Sequence, residues 1–361
     1  MTSGLHLFFP PEVLAERVVA YYHREKRPLP FRATTDPYAV WVSEVMAQQT
    51  RIETVLPFWE RWMLRFPTLE AVARAPEDEI LAAWSGLGYY ARARSLHKAA
   101  KIIVETWGGQ FPRVLDDIQS LPGVGRYTAG AIASIAFGKR TAVVDGNVVR
   151  IYARLVGVEA DVRSQRVQRL LWDLASRVVP EGSPGDFNQG LMDLGATTCT
   201  PRAPRCASCP LADLCVARKT GRQHEIPVVA PKAPPRLVAV EIAWIARKGK
   251  WLLAKRASKG LFGGLWELPE REALERAGNR LLVKGSPLAQ REHRLSHRTI
   301  RYTVHTVHLA PRARVAVGTP YEDARFFPPS ALASLGISSA TRALARAILA
   351  AEASRRSPSH G

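Results

Sequence analysis

Cysteine is scarce in this 361-residue chain: there are four, and none lies outside the stretch Cys199–Cys215. That excludes a disulfide framework spread through the fold, because stapling bridges need cysteines in separate segments. Acidic side chains are also in short supply, 32 Asp and Glu against 51 Lys and Arg, giving a formal net charge of +19. So large an excess points to a polyanionic partner. It is not confined to a tail, since residues 237–361 carry 21 basic and 9 acidic side chains and the remainder is basic as well. No apolar run approaches the roughly 20 residues that cross a bilayer, and no basic amphipathic stretch suggests a surface anchor. Met1–Pro10 has neither the basic start nor the apolar core of a secretory leader. A soluble, cytoplasmic protein is expected.

What is present divides into two domains, as a chain of this length should. Residues 1–218 read as helical throughout, with apolar spacing or caps marking Pro11–Arg24, a helix opened by Asp36-Pro37, Ile52–Arg65, Pro76–Trp84, a helix running to about Thr106, Arg126–Phe137, Asn147–Leu155, Ser164–Val179 and a last helix from Phe187. Residues 219–236, with Pro227, Pro231, Pro234 and Pro235, read as a semi-extended linker. Residues 237–361 are mixed α/β: strand-like at Leu237–Ile245, Trp251–Lys255 and Arg301–Leu309, helical at Arg271–Ala277 and Ala340–Ala353, frayed from Ser354. No internal repeat is evident.

Five stretches carry chemistry. In Leu121-Pro122-Gly123-Val124-Gly125 a proline and two glycines permit a tight turn whose N–H groups point outward at a helix start, which suits a phosphate. Asp145 follows the apolar run Ala142–Val144 and precedes an amphipathic segment, a place that reads first as a helix N-cap, with a functional carboxylate beside the hairpin as the alternative. Glu44 shares a helix face with Val40 and Trp41, and desolvation there would raise its pKa toward that of a general acid; the alternative is a packed or paired glutamate. Tyr89-Tyr90 behind the turn Ser85–Gly88 suit base stacking, with Arg92 and Arg94 on phosphates, or else core and rim. The cysteine spacing C-x6-C-x2-C-x5-C has one C-x2-C pair where zinc fingers show two, so it favours an iron–sulfur cluster and leaves zinc open. Arg202, Arg205, Arg218 and Lys219 flank this loop, where they would help to hold DNA backbone.

Ser43–Thr50, Gly86–Tyr90, the hairpin Leu121–Gly130 with Val144–Asn147, and the four cysteines together resemble the MutY family of adenine DNA glycosylases. The resemblance implies a multidomain α plus α/β protein: an all-helical helix-hairpin-helix glycosylase domain bearing a [4Fe–4S] cluster on Cys199, Cys206, Cys209 and Cys215, then a Nudix-like domain that recognises 8-oxoguanine. It implies hydrolysis of the N-glycosidic bond of adenine mispaired with 8-oxoguanine or guanine in duplex DNA, after flipping the base. Glu44 would protonate adenine, and Asp145 would stabilise the oxocarbenium-like sugar with Tyr127 and Asn147 in support. Gln49 and Tyr89 would wedge into the stack, Gly123, Val124 and Gly125 would grip a phosphate, and Ser296 and His297 would contact the oxidised base. A monomer near the nucleoid, bound to no membrane, is expected.

Three residues depart from the family pattern: Leu295 where an aromatic precedes Ser-His, Ala47 where Leu is more frequent, and Phe31 where Trp is usual. They bear on affinity and rate rather than on the reaction. An endonuclease III-like lyase needs a lysine where this chain has Tyr127. A non-catalytic damage sensor would lack Glu44 or Asp145, and a nucleotide hydrolase would need a Nudix glutamate pattern that Glu267, Glu270, Glu272 and Glu275 do not form.

Overall fold

The computed structural model describes residues 5–231, 234–295, 297–310 and 314–356. Ser296 and residues 357–361 of the expected frayed end therefore lie outside the described residues. The chain forms two compact units, Met1–Glu70 with Lys98–Lys232, and Ala71–His97 with Ala233–Gly361.

The helices run in the order α1 (Pro11–Glu25), α2 (Pro37–Ala47), α3 (Ile52–Arg65), α4 (Leu69–Arg74), α5 (Glu77–Trp84), α6 (Ala91–Trp107), α7 (Leu115–Ser120), α8 (Arg126–Phe137), α9 (Gly146–Val156), α10 (Gln165–Val178), α11 (Pro184–Asp193) and α12 (Val216–Lys219). Local chemistry explains the starts. Asp36 accepts from the Tyr38 and Ala39 amides with Pro37 at the first helical position, and Ser164 accepts from the Val167 amide. The first unit is built around apolar stripes of four helices: Leu14 and Val18 of α1, Val148, Ile151 and Tyr152 of α9, Leu171 and Leu174 of α10, Phe187 and Leu191 of α11. Burying a leucine-sized side chain contributes roughly 2 kcal/mol, so this cluster is the main reason the helices hold their places.

The proline-bearing stretch after α12 is less of a linker than its composition suggests. Ile226 is buried in the first unit's core, Arg154 Nε donates to its carbonyl at 2.8 Å, and the Val162 amide donates to the Val228 carbonyl at 3.1 Å. The chain is thus held to the first unit as far as residue 228.

The second unit carries β1 (Arg236–Trp244), β2 (Ala246–Arg247), β3 (Lys250–Arg256), β4 (Trp266–Glu267), α13 (Arg271–Arg276), β5 (Leu282–Arg294), β6 (Arg298–His308), β7 (Tyr321–Phe327) and α14 (Ser339–Arg356). One sheet has the order β1-β6-β5, with β1 parallel and β5 antiparallel to β6; in the other, β3 pairs with β2, β4 and β7. Trp244, Trp251, Trp266 and Val304 meet Leu344 and Ile348 of α14 in its main core, while Leu274 of α13 packs with Ala243, Leu252 and Val307. Residues 71–97 belong here by contact, although their sequence runs on from the helical stretch. Ser85 Oγ and Tyr90 OH both donate to the Ile337 carbonyl, at 2.7 and 2.9 Å, and Lys255 Nζ pairs with Asp78 at 2.7 Å.

Candidate active site

Helix α2 is apolar on nearly every face, and Glu44 is its one charged residue. A cavity of about 550 Å³ in the first unit explains the exception: Glu44 lines it with Val40 and Gln48, one turn away on either side. Trp41, expected on the same face, turns instead into the core, where its ring meets Phe111 at 5.6 Å. The Tyr127 hydroxyl, from the first turn of α8, donates to Glu44 Oε2 at 2.8 Å. Burial pushes the Glu44 carboxyl above its ordinary range; the Tyr127 hydrogen bond and the Arg32 charge offset part of this, and Asp145 adds to it.

Asp145 lines the same cavity. The two roles that its position suggested coincide: Oδ1 accepts from the Val148 amide at 2.8 Å as the N-cap of α9, while Oδ2 accepts from Asn147 Nδ2 at 3.1 Å. Burial raises its pKa too, with the Val148 and Asn147 hydrogen bonds acting against that rise. The Tyr127 phenol is held far above its ordinary value by burial and by the charges of Glu44 and Asp145, so it serves as a donor.

Asn147 is fixed from behind. Its Oδ1 accepts from Arg150 Nη2 at 2.8 Å, and that guanidinium also reaches the Gly195 carbonyl at 2.7 Å and, through Nε, the Cys199 carbonyl at 2.7 Å. Gly195 packs so closely here that a β-carbon would lie 2.5 Å from Asn147 Cβ. The support of the Asp145 carboxylate therefore rests on the segment that leads into the cysteine loop.

Sequence reasoning missed much of the cavity wall. Arg27 and Arg32, in a segment read only as a basic loop, converge on Asp193, which is fully buried: Arg27 Nε meets Oδ1 at 2.6 Å and Arg32 Nη1 meets Oδ2. Both arginines line the cavity, as do Gln189, Met192 and the two departures Ala47 and Phe31. A signal was present in the pair of arginines around Pro28 and Pro30, but their partner lies more than 160 residues away.

The hairpin has the shape expected. Gly123 has φ of 77°, the left-handed conformation that closes the turn, and the Val124 amide donates to the Leu121 carbonyl at 3.0 Å. The Val124 N–H is thus engaged within the turn, and its side chain is buried as an anchor. A grip then falls to the exposed Gly123 and Gly125 and to the start of α8, which no side chain caps. Gln49 and Tyr89, the expected wedges, are both exposed and both carry positive φ, 55° and 49°. Side chains with a β-carbon adopt that region rarely. Arg92 and Arg94, expected on phosphates, instead donate to the Gly88 and Gly263 carbonyls. His297 is exposed in the turn between β5 and β6, whereas Leu295 packs on the core.

The four cysteines surround one small cavity with Arg154, whose Nη1 donates to Cys199 Sγ at 3.3 Å. Among the described residues, no three His, Cys, Asp or Glu side chains converge tightly enough to hold a single metal ion. Four thiols around a common space are the donor set that an iron–sulfur cluster needs. Of the surrounding cations, Arg205 is tied to the Thr197 carbonyl, while Arg202, Arg218 and Lys219 are exposed.

In the second unit the four glutamates near α13 are each matched to arginine. Arg256 bonds Glu267 at 2.7 Å and also Glu270; Arg276 meets Glu272 and Arg271 meets Glu275, both at 2.9 Å. Burial pushes Glu267 up to about 7.

A helix-hairpin-helix before a cavity with two carboxylates, followed by a four-cysteine loop, defines the class of helix-hairpin-helix DNA glycosylases. Residues 42–177 match the HhH-GPD superfamily base excision DNA repair proteins, 199–215 the iron–sulfur binding domain of endonuclease III, and 241–347 the NUDIX domain. The chain is 40% identical to human adenine DNA glycosylase over 324 residues, covering 74% of this chain and 59% of that protein. It is 34% identical to the adenine DNA glycosylase of Buchnera aphidicola (Schizaphis graminum), covering 71% of this chain and 74% of that protein. Among solved structures, a thermostable thymine-DNA glycosylase aligns with TM-score 0.54 and 32% identity over 58% of this chain and 97% of its own. The chain belongs to the adenine DNA glycosylase family. It spans about three fifths of the length of its human, rat and mouse relatives.

Proposed function

We propose that this protein excises adenine mispaired with 8-oxoguanine or guanine in duplex DNA, by hydrolysis and without cutting the strand. The observation that carries the reading is the pair Glu44 and Asp145, two carboxylates in one cavity with different partners. Glu44, whose carboxyl burial pushes above its ordinary range, gives its proton to a ring nitrogen of the flipped adenine, so the base leaves neutral. Asp145, whose ionised form two donors support, faces the positive charge that develops on the sugar. Gln189, with an amide that both donates and accepts, and Arg32 supply polar contacts for the base. Among the described residues the cavity wall contains two arginines and no lysine, which favours water over a Schiff base as the acceptor of the sugar.

The helical domain and the cysteine loop form the catalytic body, with the chain from 237 onward as the recognition module. Ser296 and His297 are its proposed contacts to 8-oxoguanine, Gln49 and Tyr89 the wedges, and the Gly123–Gly125 hairpin with the start of α8 the phosphate grip. A single cytoplasmic chain at the nucleoid suffices for this. When bound, an iron–sulfur cluster would cross-link the loop through Cys199, Cys206, Cys209 and Cys215, and Arg154 would oppose the negative charge of its thiolates.

Single-turnover base release tests the proposal. Duplexes with adenine opposite 8-oxoguanine or guanine are expected to lose adenine, with strand breaks only after alkali. Breaks before alkali, or release of thymine from guanine mispairs in place of adenine, would refute it. A finer expectation concerns Tyr127→Phe. Removing its hydroxyl takes away a hydrogen bond that lowers the Glu44 pKa, so the acid form persists higher and the alkaline limb of the rate profile moves to higher pH. A limb that stays put or moves down would mean that Glu44 is not the titrating acid.

A further inference from the structure

Tyr89 stands in a left-handed conformation and is 49% exposed. A strained, half-exposed aromatic keeps one orientation only if its surroundings impose it. One side chain in those surroundings does more than touch the ring. Arg92, in the first turn of α6, lays its guanidinium 5.4 Å from the Tyr89 ring centroid and 5.4 Å from that of Trp84, which is fully buried. The cation therefore contacts both a ring exposed to solvent and a ring fixed in the core. Its Nη2 also donates to the Gly88 carbonyl at 3.1 Å and the Leu87 carbonyl at 3.4 Å, and Trp84 Nε1 adds a bond to the Gly88 carbonyl at 3.0 Å. The Arg92 amide closes the turn on the Tyr89 carbonyl at 2.9 Å. On the far side Tyr90 OH accepts from the Gly86 amide and donates to the Ile337 carbonyl. Burial lowers the Arg92 pKa to about 10, so holding the cation here has a desolvation cost.

We propose that Arg92 is the positioning residue of the Tyr89 wedge. Its guanidinium, 5.4 Å from both ring centroids, links the exposed Tyr89 ring to the buried Trp84 ring, and through the Leu87 and Gly88 carbonyls it braces the left-handed turn before DNA arrives. The inference rests on the reading of Tyr89 as a wedge given above. It differs from the ordinary role of an arginine beside DNA, a phosphate contact, in what it predicts.

The test uses the full chain with Arg92→Gln, which removes charge and plane, and Arg92→Lys, which keeps charge alone and serves if the first variant folds poorly. Arg92→Gln should slow single-turnover excision of adenine opposite 8-oxoguanine by about tenfold, the scale of a desolvated cation–π contact, and Arg92→Lys, which loses the forked donors to the Leu87 and Gly88 carbonyls, by about threefold. Fluorescence of 2-aminopurine placed beside the mispair should show less unstacking. The slope of log binding constant against log salt should not change, whereas loss of a phosphate contact would reduce it by about one. In a Tyr89→Ala background, Arg92→Gln should cost less than about twofold, since residues acting through one another are non-additive. A reduced salt slope with an additive loss would make Arg92 a phosphate ligand and overturn the proposal. So would full activity of Arg92→Gln. If Tyr89→Ala itself excises and unstacks normally, the wedge reading falls and the proposal with it; if Tyr89→Ala is impaired and Arg92→Gln is not, only the role of Arg92 falls.

Discussion

Asp145→Asn will leave a folded protein that still binds mispaired duplex and no longer excises adenine. Asparagine caps a helix about as well as aspartate, so its side-chain oxygen can still accept from the Val148 amide and α9 should begin where it does now. What disappears is the negative charge facing the sugar. Electrostatic stabilisation of a developing charge in a dry site is worth on the order of 10²–10³ in rate or more, about 3–4 kcal/mol of barrier. We therefore expect single-turnover excision to fall at least a thousandfold, by roughly 4 kcal/mol, with thermal midpoint and duplex affinity near those of the parent. Near-normal excision would remove Asp145 from the chemistry and leave it as a cap alone.

Glu44→Gln removes the proton that makes adenine a tolerable leaving group, and an amide of the same shape cannot replace it. General acid catalysis contributes about 10²–10⁴, so a loss on the order of 10³ is expected. Its pH signature is as informative as its size. Burial raises the Glu44 carboxyl, so in the parent the active, protonated form persists above the ordinary carboxyl range and the rate falls as pH rises through that raised value. Asp145 must be ionised, and burial raises it too, so the rate also falls as pH drops through its value. The profile should be bell-shaped with both limbs displaced upward, the two apparent values belonging to the coupled pair. Glu44→Gln should lose the alkaline limb while retaining the acidic one. An unchanged profile at lower amplitude would point to another acid.

The proposed catalytic pair was legible because each member breaks a local pattern: Glu44 is a lone charge in an apolar helix, and Asp145 ends an apolar run at a helix start. The two explanations available for Asp145 looked exclusive in sequence and are not, since a carboxylate has two oxygens and one suffices to cap α9. The cavity wall was not legible. Arg27, Arg32 and Asp193 form one buried group across more than 160 residues, and nothing local in a basic loop announces a distant acid. Strand β5 escaped notice for a related reason: nearly all of it is exposed, so it lacks the alternation that marks a half-buried strand. Arg92 was placed on a phosphate because exposed cations beside tyrosines suggest one; the rings that claim it, Trp84 and Tyr89, are visible only in three dimensions.

The closeness of Gly195 to Asn147 has a consequence for anyone engineering this protein for heat resistance. Helical glycines are the usual first targets, because alanine restricts the unfolded chain and gains about 0.4–1 kcal/mol where the backbone allows it. Gly195 lies in the short helical turn Leu194–Thr198 and would be selected on that rule. Its missing β-carbon is the space that Asn147 occupies. An alanine there would press on the residue that orients Asp145, so a substitution chosen for durability would be bought with turnover.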